Sequence, residues 1–197
     1  MKAINYLKQR KIHLLGIVIL FLTFSCQNSH NLFQEDNKNW NSYGDANWKF
    51  SNNDLIGYIY EGAGYIITQQ TYNDFVLELE FKPDSIINSG VFIRCKNEEI
   101  SPTDCYEINI WDLHPNQDYR TGSIVMKSVP SVKVETNNKW NTLKISAKQN
   151  HIQVWINNIS TVDLMDDTRT AGYIGLQASG QGEVKFRNIK IKPLKTD

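Results

Sequence analysis

The sequence has few of the residues that usually announce a mechanism. Its 197 residues include 3 cysteines, 4 histidines and 5 prolines. They form no Cys-x-x-Cys pair and no His-Glu-x-x-His pattern, so no zinc-type ligand spacing is present. No glycine-rich phosphate loop and no Gly-x-Ser-x-Gly elbow occurs. Neither sign of charge is in excess, with 21 basic and 21 acidic residues, which leaves no electrostatic footprint for nucleic acid. No helical stripe runs longer than two turns, and the acidic segment Asp163–Thr168 is at most a single turn. The main apolar run, Leu14–Leu22, is far shorter than the ~20 residues a spanning helix needs.

That run lies between Lys2, Lys8, Arg10 and Lys11 on one side and Thr23-Phe24-Ser25-Cys26 on the other. A basic region, a short apolar region and a small residue before a cysteine describe an export signal over residues 1–25. Cys26 is then the lipidated first residue of an envelope lipoprotein. Thr23 occupies the position where such signals usually carry Leu, with Leu22 one step earlier. Removing residues 1–25 leaves 17 basic against 21 acidic residues in a chain long enough for one domain. The polar stretch 26–37 reads as a flexible tether, and 38–197 as the domain.

From Phe75 onward the periodic segments alternate apolar and polar residues with a period of two. They include FVLELEFK, GVFIRC, YEINIWD, GSIVMKSV, NTLKISAK, HIQVWIN, GYIGLQA and EVKFRNIKIK, separated by turn residues such as Asn88-Ser89-Gly90 and Gly180-Gln181-Gly182. Ten to thirteen short strands predict an all-β sandwich or barrel; in a sandwich of two antiparallel sheets, one outer face can curve into a groove. Cys95 and Cys105 flank the loop Lys96–Asp104; a bridge closing the loop and two separate thiols both fit.

The segment YEINIWDLHP has two incompatible faces. Tyr106, Ile108 and Ile110 suit a core, whereas Glu107, Asn109 and Trp111 offer a carboxylate, an amide and an indole on the opposite side.

The ordered series Ser89-Gly90-Val91-x-x-Arg94, Tyr106-Glu107-x-x-Ile110-x-Asp112, Thr121-Gly122-x-Ile124, Trp140-Asn141, Gly175-Leu176-Gln177 and Val184-x-Phe186-Arg187-Asn188-Ile189 resembles the 3-keto-disaccharide hydrolase domain family. The resemblance covers about residues 40–194. It implies a concanavalin A-like jelly-roll sandwich and action on glycosides whose sugar carries a ketone at C3. Such a ketone acidifies the C2 hydrogen, so cleavage calls for a base and an oxyanion stabiliser rather than two carboxylates flanking an oxocarbenium ion. The family's histidine in Gly-Leu-Gln-x-His-Gly is Ser179 here.

Within this frame the catalytic candidates are Glu107, Arg94, Asp112 and His114. If the strands carrying Arg94 and Glu107 are neighbours, the two share an outer surface, and the guanidinium keeps the carboxylate ionised. Asp112 and His114 stand where strand gives way to loop and can reach over a ring held below. Asn109 would hydrogen-bond vicinal hydroxyls, Trp111 would stack on a pyranose, and Lys127 would polarise a ketone oxygen. No cofactor is expected, although the sequence leaves a divalent metal open. The expected partners are an oxidised glycoside and, through the lipid, a membrane, with the protein a monomer. The alternative function is a non-catalytic carbohydrate-binding module of the same fold; a third is a structural envelope protein.

Overall fold

In the computed structural model, residues 29–32 and 39–195 are described. The signal segment, Cys26 and most of the 26–37 stretch lie outside them. The strands are β1 (His30–Asn31), β2 (Trp40–Gly44), β3 (Asn47–Ser51), β4 (Asp54–Ile59), β5 (Ala63–Thr68), β6 (Phe75–Pro83) and β7 (Asn88–Cys95). They continue with β8 (Tyr106–Ile110), β9 (Asn141–Lys148), β10 (His151–Ile156), β11 (Ile159–Met165), β12 (Tyr173–Ser179) and β13 (Gly182–Pro193). The only helix among the described residues is a single 3-10 turn at Gln117–Tyr119.

Two antiparallel sheets form a jelly-roll sandwich. The larger runs β11-β10-β9-β6-β13-β4-β3 with β1 added on β13; the smaller runs β2-β5-β12-β7-β8. Alternation decides which residues enter the space between them. Phe75, Leu77, Leu79 and Phe81 of β6 meet Val91 and Ile93 of β7 and Tyr106, Ile108 and Ile110 of β8 in one core cluster. The intervening residues of β6, Val76, Glu78, Glu80 and Lys82, face away from it.

Three local expectations need correction. The tether is not free throughout: His30–Asn31 pairs with β13, Leu32 is buried in the core, and Trp40 Nε1 donates to the Leu32 carbonyl. Asp163–Met165 belongs to β11 rather than to a helical turn. Gly122–Val129 is not a strand. Its Ile124 carbonyl accepts from the amides of both Lys127 and Ser128, folding the segment back on itself with Met126 at φ 63°. A single bridge, Ile108 to Ile124, and the backbone hydrogen bonds around it hold the segment beside β8, while the Ile124–Ser128 bridge closes its own turn.

Candidate functional site

The residues that point away from the core on the five-stranded sheet fall into cross-strand rows. One runs Tyr43, Tyr65, Gln177, Gly90, Asn109 across all five strands. The next runs Asn41, Ile67, Gly175, Phe92, Glu107. In each row a glycine stands near the middle, and a side chain from a neighbouring segment takes the room above it: Glu107 over Gly90 and Ile100 over Gly175. A Cβ built on Gly90 would lie 3.4 Å from Glu107 Oε1 and 3.5 Å from Glu107 Cγ, so the Glu107 side chain leans over that glycine toward β12.

Glu107 is 7% exposed, and its carboxyl makes no hydrogen bond or ion pair among the described residues. Its cross-strand neighbour Phe92 belongs to a second apolar cluster on this face with Ile67, Cys95 and Cys105, against which Tyr65, Ile100 and Tyr173 pack. Removal from water disfavours the ionised form, and burial pushes the Glu107 carboxyl up to about 7. Two strands away, Gln177 Oε1 is buried and also lacks a partner. An unpaired buried polar atom is costly, and Gln177 Oε1 beside the largely buried, unpartnered Glu107 carboxyl marks this part of the face for polar groups.

The loop between β7 and β8 walls one side of this face. Cys95 and Cys105 are joined by a disulfide with Cα atoms 4.2 Å apart. From that anchor the loop crosses the sheet. A Cβ on Gly175 would lie 3.3 Å from the Ile100 Cγ2 methyl, and Glu98 accepts hydrogen bonds from Tyr43 Oη and, at 3.2 Å, from Asn41 on the far edge strand β2.

The other sequence candidates divide sharply. Arg94 is not beside Glu107. It takes φ 52°, and the register of β12 slips between Tyr173 and Gly175 at the same level, so the side chain leaves the outer face. The guanidinium is fully buried and donates to the carbonyls of Asn73, Gln149 and Arg169 while pairing with Asp74 at 3.2 Å. Asp112 is also buried. Its carboxylate accepts from the Thr136 amide at 2.5 Å, the Thr136 hydroxyl at 2.9 Å and the Asn137 amide at 3.2 Å, with Arg120 at 3.9 Å, so both oxygens are engaged in the interior. His114 lies in the loop beyond β8, its Nδ1 against the Asn116 backbone and its ring edge-on to Trp111 with centroids 4.6 Å apart. Trp111 thus packs against its own loop. Lys127 pairs with Asp166 at 2.8 Å. Asn109 does lie on the face, but its amide nitrogen donates to the Tyr119 carbonyl and its oxygen accepts from the Ile110 amide.

Gln177 was not singled out by the sequence. Its signal was present in the alternation Gly175-Gln177-Ser179, which puts a polar series on the face opposite Ile174, Leu176 and Ala178. Ser179 follows on the same face and donates to the Gly62 carbonyl at 3.3 Å. Among the described residues no group of three or more His, Cys, Asp or Glu side chains converges.

The sequence profile described as the 3-keto-alpha-glucoside-1,2-lyase-like domain matches residues 28–192. The chain belongs to this family. Membership supports a function on carbohydrate. No curated protein matches by sequence. Among solved structures, a candidate glycosyl hydrolase from Parabacteroides distasonis is 26% identical, with TM-score 0.74 over 85% of this chain and 100% of that one. A second from the same organism is 20% identical, with TM-score 0.74 over 86% and 95%. A carbohydrate-binding module from Bacillus subtilis is 15% identical, with TM-score 0.63 over 78% and 95%. The last two are similar in fold alone.

Proposed function

We propose that the protein cleaves glycosides whose sugar has been oxidised to a ketone at C3, and that Glu107 removes the proton from C2. The observation that carries this reading is the buried, unpartnered Glu107 carboxyl with its pKa near 7, on the outer face of the five-stranded sheet. A carboxyl tuned to that range exists in both forms near neutrality, as a group that takes a proton and returns it must.

The steps balance without an external reagent. Glu107 takes the C2 proton, and the electron pair moves into an enolate across C2 and C3. The enolate then collapses to restore the ketone, forms the C1–C2 double bond and expels the C1 substituent, whose oxygen takes the proton back from Glu107. Addition of water across C1–C2 completes hydrolysis. Gln177 Nε2 has no acceptor among the described residues and is the donor available to the developing oxyanion, with the unpaired Oε1 beside it free to accept from a sugar hydroxyl. Arg94 and Lys127, engaged elsewhere, are not part of this arrangement.

A second reading, a carbohydrate-binding module, draws support from Ser179 standing where the family resemblance implies a histidine and from the shared fold of the Bacillus subtilis module. The deciding experiment incubates the protein with a 3-keto-disaccharide and with its unoxidised parent. Turnover of the keto form alone is expected, with a loss of at least ~100-fold in kcat/KM for Glu107→Gln. Cleavage of the parent would indicate ordinary glycosidase chemistry, and binding without turnover would favour the module. The same proposal places the protein on the cell envelope through a lipid on Cys26, read from the signal pattern of residues 1–26.

A further inference from the structure

The row that holds Gln177 and Gly90 does not end at β12. It continues to Tyr65 on β5 and Tyr43 on the edge strand β2. Their rings lie 5.4 Å apart and nearly parallel, at 28°, and Tyr43 is 39% exposed. Two polar residues frame the pair. Glu98 accepts from both Tyr43 and Asn41, and Asn41 in turn accepts from Gln69 at 3.3 Å. Glu98 belongs to the disulfide-closed loop, so the cluster is fixed from two directions, by β-pairing beneath and by a covalently anchored strap beside it. An exposed edge strand has no need of such bracing for its own stability, and an exposed hydrogen bond of this kind adds little.

Strand spacing sets the distances. Neighbouring strands lie about 4.8 Å apart, so Tyr65 stands about 10 Å from Gly90 and about 14 Å from the strand of Glu107. A sugar whose C2 lies against Glu107 over Gly90 therefore has its next ring carried toward Tyr65 and Tyr43. Flat aromatics with polar tips suit the apolar face of a pyranose, and Asn41, Gln69 and Glu98 supply donors and acceptors at its rim.

We propose that Tyr43 and Tyr65, clamped by Glu98 and Asn41, form a second sugar subsite that holds the saccharide unit expelled from C1. The proposal rests on the assignment of Glu107 to the bond-breaking end, and it assigns to this cluster binding rather than chemistry. It makes the leaving group a pyranose in place of a small alcohol. The strap residue Glu98 becomes a determinant of which second sugar is accepted.

The test compares wild type, Tyr43→Ala and Glu98→Gln on a 3-keto-disaccharide and on the corresponding methyl 3-keto-glycoside, which has no second ring. For the disaccharide KM is expected to rise roughly tenfold in both variants, with kcat close to wild type. Kinetics on the methyl glycoside are expected to stay within twofold of wild type. Equal losses on both substrates would mean that the cluster only supports the fold, and unchanged kinetics on both would mean that it touches no substrate; either result overturns the subsite. If the wild type turns over neither keto substrate, the assignment of Glu107 fails on its own, and the subsite is then read by calorimetric titration with the unoxidised disaccharide. Weaker binding by Tyr43→Ala upholds the subsite in that case, and equal binding removes it.

Discussion

At the scale of single residues, charge and burial separate groups that look interchangeable in sequence. Glu107 and Asp112 are both buried carboxylates five residues apart, yet Asp112 has three hydrogen-bond donors and Glu107 none. A raised native pKa means that the folded state holds its proton longer than the unfolded chain. Between the ordinary value of 4.5 and about 7 the native protein therefore binds more protons than the unfolded one, and stability falls as pH rises through that window. The contribution is fully present below pH 4.5 and gone above about 7. Urea unfolding at intervals from pH 4.5 to 8 is expected to show this decline in wild type and to lose much of it in Glu107→Gln. A slope equal in both proteins would mean that the carboxyl is not the buried group it is taken to be. Arg94 gives the opposite kind of prediction. Removing its guanidinium strands Asp74 and three carbonyls in the interior, so Arg94→Ala is expected to lower stability by about 3–5 kcal/mol. Its KM for the keto-disaccharide is expected to remain near wild type at temperatures where the variant is folded.

At the scale of elements, legibility in the sequence followed one-sided burial. Phe75 to Phe81 alternates because one face of β6 fills the core, and a one-residue slip would expose all four large side chains, so the pattern is unmistakable. Tyr106, Glu107, Ile108, Asn109 and Ile110 read equally well, which is why Glu107 could be assigned to the outer face from sequence. Arg94 could not. Alternation extends it onto that same face, and only the positive φ there, which no residue type in GVFIRC announces, turns it away. Lys127 was misplaced for a related reason: Gly122–Val129 has the composition of a strand, but past β8 it finds only isolated bridges and folds into a turn. The loop 96–104 was visible only as two cysteines; that it crosses the sheet to Tyr43 depends on tertiary contact. This loop supplies part of the burial around Glu107, since Cys105 and Ile100 belong to the apolar cluster beside it. Replacing both Cys95 and Cys105 with Ser is therefore expected to have two effects. Stability should fall by about 2–3 kcal/mol, the lower part of the range for a native bridge, because the closed loop spans only 10 residues. The ascending limb of the pH–rate profile should move below 7 as water reaches the carboxyl. A fall in stability with an unchanged profile would separate the loop from the tuning of Glu107.

At the scale of the whole molecule, the short β1 strand determines how the domain sits relative to the chain that precedes it. Leu32 is 4% exposed, and its carbonyl takes the Trp40 indole hydrogen bond at 2.9 Å, so this one residue ahead of β2 is part of the core. Leu32→Ala is expected to cost about 2–4 kcal/mol in chemical denaturation, as for other buried leucines, whereas a free tether would tolerate it within ±0.5 kcal/mol. This docking bears on the proposed anchor. With a lipid on Cys26 and pairing beginning at His30, four residue steps remain between lipid and sheet, a span of at most about 14 Å. Such an anchor holds the sandwich close to the bilayer rather than letting it range on a long leash. Cys26→Ser is expected to release the protein from membranes with an unchanged melting temperature, because the lipid adds nothing to the core. Leu32→Ala is expected to leave membrane attachment intact while lowering the melting temperature. If instead Leu32→Ala releases the protein, or Cys26→Ser leaves it on the membrane, attachment runs through something other than a lipid on Cys26.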